Sequence, residues 1–216
     1  MIKKSPEIFI FDLDGTLIDS VSVISQILND MRSGFSLEPI NEFEFKPWIS
    51  LGARELMVKS LGCPEDQIEV NLNEFRRRYH LTTTPNTAIY PGVLETLSAL
   101  ASKGKIIALC SNKPESLCRK VIFEIGCANL FKIIVGGDSL NKTKPNPEPL
   151  YYILKLLSGS AKSSIFIGDS SIDLEASRAA SIPFVFYSGG YDDEVDSRQA
   201  HYIIEKIPDL LKIIFN

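Results

Sequence analysis

Cysteine and histidine are scarce in this chain, and neither is patterned. Cys63, Cys110, Cys118 and Cys127 form no CxxC pair, and His80 and His201 fall at no zinc-ligand spacing. Neither a disulfide framework nor a structural zinc site has the residues it needs, so the four thiols are expected to be buried as small apolar side chains. A basic excess is also missing. The 23 Lys and Arg face 27 Asp and Glu, a formal net charge of -4, which argues against a nucleic-acid partner. No apolar run reaches 18 residues, so no membrane span is expected. The opening MIKKSPEIFIFDLDG places acids where the apolar stretch of a signal peptide would continue, so a cytoplasmic location is expected. Repeats and low-complexity tracts are absent. What is present is ordinary: 216 residues, 44% hydrophobic and 23% charged, a composition too apolar and too weakly charged for a disordered chain. A globular chain of this length buries roughly 70% of its unfolded surface and supports a core without disulfides.

Six short apolar, β-branched runs, each followed by a polar loop, have the character of fully buried parallel strands. They are Ile8 to Phe11, Ile106 to Cys110, Ile133 to Val135, Ile165 to Ile167, Phe184 to Phe186 and Tyr202 to Ile204. Helical patterns alternate with them, such as Val93, Leu94, Leu97 and Leu100, then Leu117, Val121, Ile122 and Ile125. This rhythm implies βαβ units, an α/β fold with a parallel sheet.

One interval breaks the rhythm. Ser111 to Lys144 is 33 positions and Lys144 to Asp169 is 25, but Asp14 to Ser111 is 97. The extra segment reads as helices, with Val23, Ile24, Ile27, Leu28 and Met31 at helical spacing and Leu56, Val58 and Leu61 after Gly52. Pro64, with Glu65 and Asp66 behind it, marks a further helix start. The expected organisation is a core of residues 1–19 and 85–216, with a helical module of residues 20–84 inserted through crossings near Asp19 and Ser20 and near Thr84 to Thr87.

In an open parallel sheet, ligands bind beyond the carboxyl ends of the strands. Asp12 and Asp14 follow the first strand, Ser111 and Asn112 the second, Lys144 lies after the third, and Asp169 and Asp173 follow the fourth. Four carboxylates against one ammonium are not stable alone. At ~4 Å and an effective dielectric of ~20, each like-charge pair costs about 4 kcal/mol. Magnesium, a hard cation commonly held by carboxylates and phosphate oxygens, fits that deficit. The hydroxyls of Thr16 and Ser111, the Lys144 ammonium and backbone amides near Gly15 and Asn112 then suit a phosphoryl group. An aspartate serves as nucleophile toward phosphorus, and a second carboxyl two residues on serves as general acid and base.

Asp12-Leu13-Asp14-Gly15-Thr16-Leu17, then Ser111-Asn112-Lys113, Lys144-Pro145 and Gly168-Asp169-Ser170-Ser171-Ile172-Asp173, resemble the four motifs of the haloacid dehalogenase superfamily, in order and over almost the whole chain. The insertion after the first motif resembles that family's helical cap. Tyr90-Pro91-Gly92-Val93 is similar to the return into the core in its phosphoglycolate phosphatase-like branch. The resemblance implies a Rossmann-like core and a magnesium-dependent phosphatase of small phosphorylated metabolites. Asp12 is then the nucleophile that becomes an aspartyl-phosphate, and Asp14 protonates the leaving alcohol and activates water. Magnesium lies on Asp12, Asp169 and the Asp14 carbonyl, supported by Asp173. Ser111 and Lys144 hold the phosphoryl oxygens, with Thr16 and Asn112 assisting. The chain departs from the family where Ser181 replaces a common glycine in a left-handed helix end.

Each residue also has a bland explanation. Asp169, Ser111 and Asn112 taken singly are caps or turn residues, but caps require neither Lys144 nor the paired aspartates. Asp19 is expected to be a cap or hinge contact, and Asp138 a loop acid. GSAKSS, Gly159 to Ser164, lacks the spacing of a P-loop. His80, His201 and the run Arg76-Arg77-Arg78 are expected on the surface. Arg54, near a helix start in the module, is the tentative substrate contact for an anionic leaving group, with Lys46 and Trp48 weaker candidates. Competing readings are a phosphosugar mutase resembling β-phosphoglucomutase, a pyrophosphatase, a receiver-like signalling domain and an inactive binding protein. Oligomeric state has no signature in the sequence.

Overall fold

The computed structural model describes residues 6–191 and 195–215. Residues 1–5, part of the opening on which the expectation about a signal peptide rests, lie outside the described residues. The six expected strands all form: β1 (Ile8–Phe11), β2 (Ile106–Cys110), β3 (Phe131–Val135), β4 (Ser164–Gly168), β5 (Phe184–Tyr187) and β6 (Tyr202–Ile204). They build one parallel sheet in the order β3-β2-β1-β4-β5-β6. β1 is central, pairing Ile8 with Ile106 on one side and with Ser164 on the other. The chain winds outward from β1 in both directions, which puts the topological switch, where ligands bind, at the ends of β1 and β4.

Alternation along the strands sends side chains to two faces. Ile8, Ile10, Phe166 and Phe184 pack under α7 (Glu148–Leu156) and α8 (Ser171–Ala179). Phe9, Phe11, Leu109 and Ile167 face the other side, where α5 (Val93–Ser102), α6 (Glu115–Glu124) and α9 (Asp209–Phe215) contribute Leu97, Val121 and Leu210. Both faces are covered, so the strands read as continuous apolar runs.

Between β1 and α5 run four helices: α1 (Val21–Gly34), α2 (Glu42–Ile49), α3 (Ala53–Leu61) and α4 (Ile68–Leu81). Pro64 precedes a 3₁₀ turn at Glu65–Gln67 that leads into α4. α2, which lacks a clean apolar period, was not legible in the sequence; the Asn41 side chain starts it by accepting from the Phe43 amide at 3.0 Å. In α3 the buried face runs through Leu56, Met57 and Leu61, while Val58 is exposed. Ile24, Leu28, Phe45, Met57 and Tyr79 from these helices join the apolar cluster on the α5–α6 side of the sheet. The two crossings lie side by side: the Asp19 amide donates to the Ala88 carbonyl at 2.7 Å and the Tyr90 amide to Leu17 at 3.1 Å.

Three thiols are buried as expected, and burial pushes the Cys110 and Cys127 thiols up to about 12 and about 11, so neither is a nucleophile at neutral pH. Cys63 differs: it is only half-buried, because Gly62 ends α3 in a left-handed turn and carries the chain outward. Among the described residues no helix is long and apolar enough to cross a membrane.

Candidate active site

The strand ends bring Asp12, Asp169 and Asp173 together. One carboxylate oxygen from each lies within 4.8 Å of the others, and all three residues are buried. At that separation and a dielectric of ~20, each pair repels by about 3–4 kcal/mol. Lys144 is the local counter-charge, with Nζ 2.6 Å from Asp173 Oδ1 and 2.8 Å from Asp12 Oδ1. The contact with Asp173 is a hydrogen bond, and the ion pair with the shared Lys144 ammonium is the one close polar contact of the buried Asp12 Oδ1 among the described residues. Burial, opposed by Lys144 and reinforced by Asp173 and Asp14, pushes the Asp12 carboxyl up to about 7. Burial raises Asp169 well above the ordinary carboxylate range, with Asp173 and Asp12 adding to it. Lys144 moves the other way from a solitary buried lysine: burial lowers it, but Asp12 and Asp173 hold it above its usual value.

Each carboxylate is fixed by its surroundings. Asp169 accepts from the Thr16 hydroxyl at 2.7 Å and from the Tyr191 amide at 2.8 Å. Asp173 Oδ2 accepts from the Ser170 hydroxyl at 2.7 Å and its amide at 3.3 Å, which closes a capping box at the start of α8. Asp173 is thus a cap through one oxygen and a partner of Lys144 through the other. The glycines beside Asp169 are dictated by space. Gly15 has φ +86°, and a Cβ there would lie 2.1 Å from Asp169 Oδ2; a Cβ on Gly190 would lie 2.2 Å from the Gly15 carbonyl and 2.4 Å from Asp169 Cβ. Three buried carboxylates sharing one ammonium, and a cradle closed by glycines, match an all-oxygen site for a hard divalent cation.

Ser111, at the end of β2, is buried and its hydroxyl accepts from the Lys113 amide at 3.2 Å. Asn112 braces two segments, donating to the Lys144 carbonyl at 3.0 Å and the Ser50 carbonyl at 3.4 Å. Asp14 turns away from the three-carboxylate cluster toward Lys113. Lys113 Nζ donates to both Asp14 oxygens, at 2.9 and 3.2 Å, and to the Tyr79 hydroxyl of α4 at 2.8 Å. Burial alone lowers a lysine, but Asp14 and Tyr79 hold the Lys113 ammonium above its ordinary value. Sequence reasoning passed over Lys113, although it stands within the Ser111-Asn112-Lys113 motif. It also missed Tyr191, whose amide holds Asp169 and whose hydroxyl meets Asp19 at 3.2 Å and the Ser20 amide at 2.8 Å. The Ser188-Gly189-Gly190-Tyr191 turn after β5 was the available signal.

The remaining expectations divide. Asp19 is the hinge contact foreseen, accepting also from the Val21 amide. Asp138 accepts from the Glu115 amide at 2.7 Å and caps α6. His80 and His201 are exposed, and Gly159 to Ser164 forms a 3₁₀ turn before β4. Arg77 and Arg78 are held by Glu74, whereas Arg76 lines a cavity instead of lying on a solvated face. Arg54 lines that cavity too, but its guanidinium is paired with Glu65 and lies 3.7 Å from Glu69. Lys46 reaches toward the site, its Nζ 5.7 Å from the Tyr191 ring centre. Trp48 packs edge-on against Phe45.

The geometry agrees with comparison to known proteins. A model of haloacid dehalogenase-like hydrolases matches residues 9–187. The chain belongs to this family. This hydrolase is 32% identical over 217 residues to phosphoglycolate phosphatase 1 of Pseudomonas aeruginosa, covering 96% of this chain and 79% of that one. Phosphoglycolate phosphatase of Rhodospirillum rubrum is 34% identical over 198 residues, covering 88% and 82%. A crystal structure of a predicted phosphoglycolate phosphatase from Haemophilus somnus matches this hydrolase with a TM-score of 0.91 at 28% identity, covering 98% of this chain and 99% of that one.

Proposed function

We propose that this hydrolase is a cytoplasmic, magnesium-dependent phosphatase of small phosphomonoesters, phosphoglycolate among them, with residues 20–84 acting as a cap over a core of residues 1–19 and 85–216. The observation that carries the reading is the buried Asp12, Asp169 and Asp173 cluster facing the Lys144 ammonium at the switch point of the sheet. The relatives named phosphoglycolate phosphatase support the substrate class.

The chain's own residues divide the work. Ser111 and Lys144 receive the phosphoryl oxygens; Asn112 assists by holding the Lys144 loop, and Thr16 by holding Asp169. An Asp12 carboxylate oxygen attacks phosphorus, the bond from phosphorus to the ester oxygen breaks, and the departing oxygen takes a proton from Asp14. Water then attacks the phosphorus of the aspartyl-phosphate, its proton passes to Asp14, and the bond to Asp12 breaks, releasing phosphate. Asp12, Asp169 and the Asp14 carbonyl, with Asp173 in support, would hold magnesium, which when bound would neutralise the charge of the carboxylates and phosphoryl oxygens. The Lys113 clamp sets the direction of the Asp14 carboxylate, and the Tyr79 hydroxyl links that setting to α4 in the proposed cap.

The test is release of inorganic phosphate from phosphoglycolate and from p-nitrophenyl phosphate, with magnesium and with EDTA. Asp12→Asn is expected to abolish turnover while leaving the protein folded, as circular dichroism checks. Full activity in that variant, or activity indifferent to EDTA, overturns the reading.

A further inference from the structure

The turn after β5, Ser188-Gly189-Gly190-Tyr191, lies against Asp169. Its two glycines are required by space, since a Cβ on Gly189 would stand 2.6 Å from the Tyr187 ring and one on Gly190 2.4 Å from Asp169 Cβ. They also leave the middle of the turn with no side chain to hold it in place. Among the described residues, the side-chain anchors of the turn are therefore at its ends. Ser188 donates through its hydroxyl to the Ile204 carbonyl at 3.3 Å, and Tyr191 supplies the other anchor.

Tyr191 makes contacts in two directions. Its amide donates to Asp169 Oδ2 at 2.8 Å, while the Thr16 hydroxyl donates to Oδ1 at 2.7 Å, so each carboxylate oxygen has one protein donor. Its side chain, in a residue 6% exposed, runs to the first crossing. There the hydroxyl accepts from the Ser20 amide at 2.8 Å, donates to Asp19 Oδ1 at 3.2 Å and lies 3.2 Å from the Ser20 hydroxyl. Burial, with Asp14 adding to it, holds this hydroxyl well above its ordinary range, so it keeps the proton that it donates. A phenylalanine would fill the same apolar space. What the hydroxyl adds is direction, because it fixes the end of the turn to a backbone amide and a carboxylate of another segment.

We propose that Tyr191 is a positioning residue for Asp169: its hydroxyl, seated on Asp19 and Ser20, fixes the turn whose amide aims the carboxylate. The affinity of the Asp12, Asp169 and Asp173 cluster for magnesium is then set in part from the first crossing, because partners that orient a metal-binding side chain tune its affinity. The inference rests on the magnesium reading of that cluster, and its test separates the two.

The full chain, free of substrate, is titrated with magnesium chloride in a calorimeter. Wild type is expected to bind magnesium, and Tyr191→Phe to bind it roughly 10-fold more weakly, the low end for loss of an outer partner because the amide itself remains. Ser20→Ala, which alters the crossing and leaves Asp169 untouched, is expected to weaken binding by at least about 2-fold, with no further loss when combined with Tyr191→Phe. Tyr151→Phe is the control for losing a hydroxyl as such: its hydroxyl donates to the Ala179 carbonyl at 2.9 Å, and this variant is expected to bind magnesium as wild type does. Equal magnesium affinity in wild type and Tyr191→Phe overturns the positioning role, whatever the melting midpoint of the variant, and so does an equal loss in Tyr151→Phe. If circular dichroism shows Tyr191→Phe unfolded, Ser20→Ala decides, and wild-type affinity there overturns the proposal. No magnesium binding by wild type overturns the magnesium reading, and the proposal with it.

Discussion

Replacing Lys113 by Met tests whether the clamp on Asp14 is as rigid as its geometry. The pair is enclosed, with side chains 6% and 10% exposed, and one ammonium contacts both carboxylate oxygens at 2.9 and 3.2 Å. Removing one partner of such a pair leaves a buried charge and costs about 3–5 kcal/mol, whereas replacing both by neutral groups of similar size is often close to neutral. Lys113→Met is therefore expected to lose about 3–5 kcal/mol, and Lys113→Met with Asp14→Asn to recover at least about 2 kcal/mol of it. The Tyr79 hydroxyl, 2.8 Å from Nζ, loses its donor in either lysine variant and sets part of the unrecovered remainder. The assay is urea unfolding followed by circular dichroism, with the slope unchanged between variants. The folded Lys113 titrates above its unfolded value, so this contribution is complete below about pH 10 and fades only as the folded group deprotonates, which places a neutral-pH measurement on the plateau. Losses that add to within about 0.5 kcal/mol would refute the reasoning, since they would mean that Lys113 and Asp14 do not meet in solution.

Gly190→Ala is expected to destabilise the protein by about 1–3 kcal/mol and to abolish its stabilisation by magnesium, because a Cβ would sit 2.2 Å from the Gly15 carbonyl and push on Asp169; a thermal shift with magnesium equal to that of wild type contradicts this. Without metal, stability is expected to fall as pH rises from about 4 to about 7. The Asp12 carboxyl is raised to about 7 when folded, so the folded state binds its proton more tightly and loses that advantage across this window, by about 1.4 kcal/mol per pH unit or about 4 kcal/mol in all. Magnesium should then raise the melting midpoint more at pH 8 than at pH 5, and an equal or larger shift at pH 5 would show that the carboxylates are not mutually strained.

How far the sequence reached can be judged from particular positions. All six strands were legible because a sheet covered on both faces needs short, uniformly apolar runs, and Tyr202 to Ile204, the weakest, still pairs along β5. The gathering of Asp12, Lys144, Asp169 and Asp173 was legible because each lies in a loop beyond the carboxyl end of a strand of one parallel sheet. Even Ser181 could be read: it occupies the left-handed region at φ 56°, where a glycine would be unstrained. Side-chain partnership across long separations was not legible. Lys113 looks like any charged residue ahead of a helix, and only the fold shows Asp14 and Tyr79 closing over it. Arg76 looks like part of a basic run, and only the placement of Glu74 separates it from Arg77 and Arg78.

These two failures share a cause that bears on the function. The residues that read from sequence belong to strand ends, whose positions are fixed by backbone pairing. Of those that did not read, Arg76 sits on α4, and Lys113, although it follows β2, takes its partner Tyr79 from α4, whose orientation over the sheet is set by packing between the inserted helices and the core. Tyr79 reaches Asp14 through Lys113, and Arg76 lines a cavity that shares Gly52, Ala53, Asn112 and Pro114 with the chamber beside Asp14. α4 thus carries the contact that, through Lys113, aims the Asp14 carboxylate. A rotation of α4 would move Tyr79 and with it the Lys113 ammonium, so the position of the inserted helices and the alignment of Asp14 are coupled. For the proposed phosphatase reaction, Tyr79→Phe is then expected to lower kcat more than it raises KM, because it loosens the setting of Asp14 without touching Ser111 or Lys144, and an unchanged kcat would contradict the coupling.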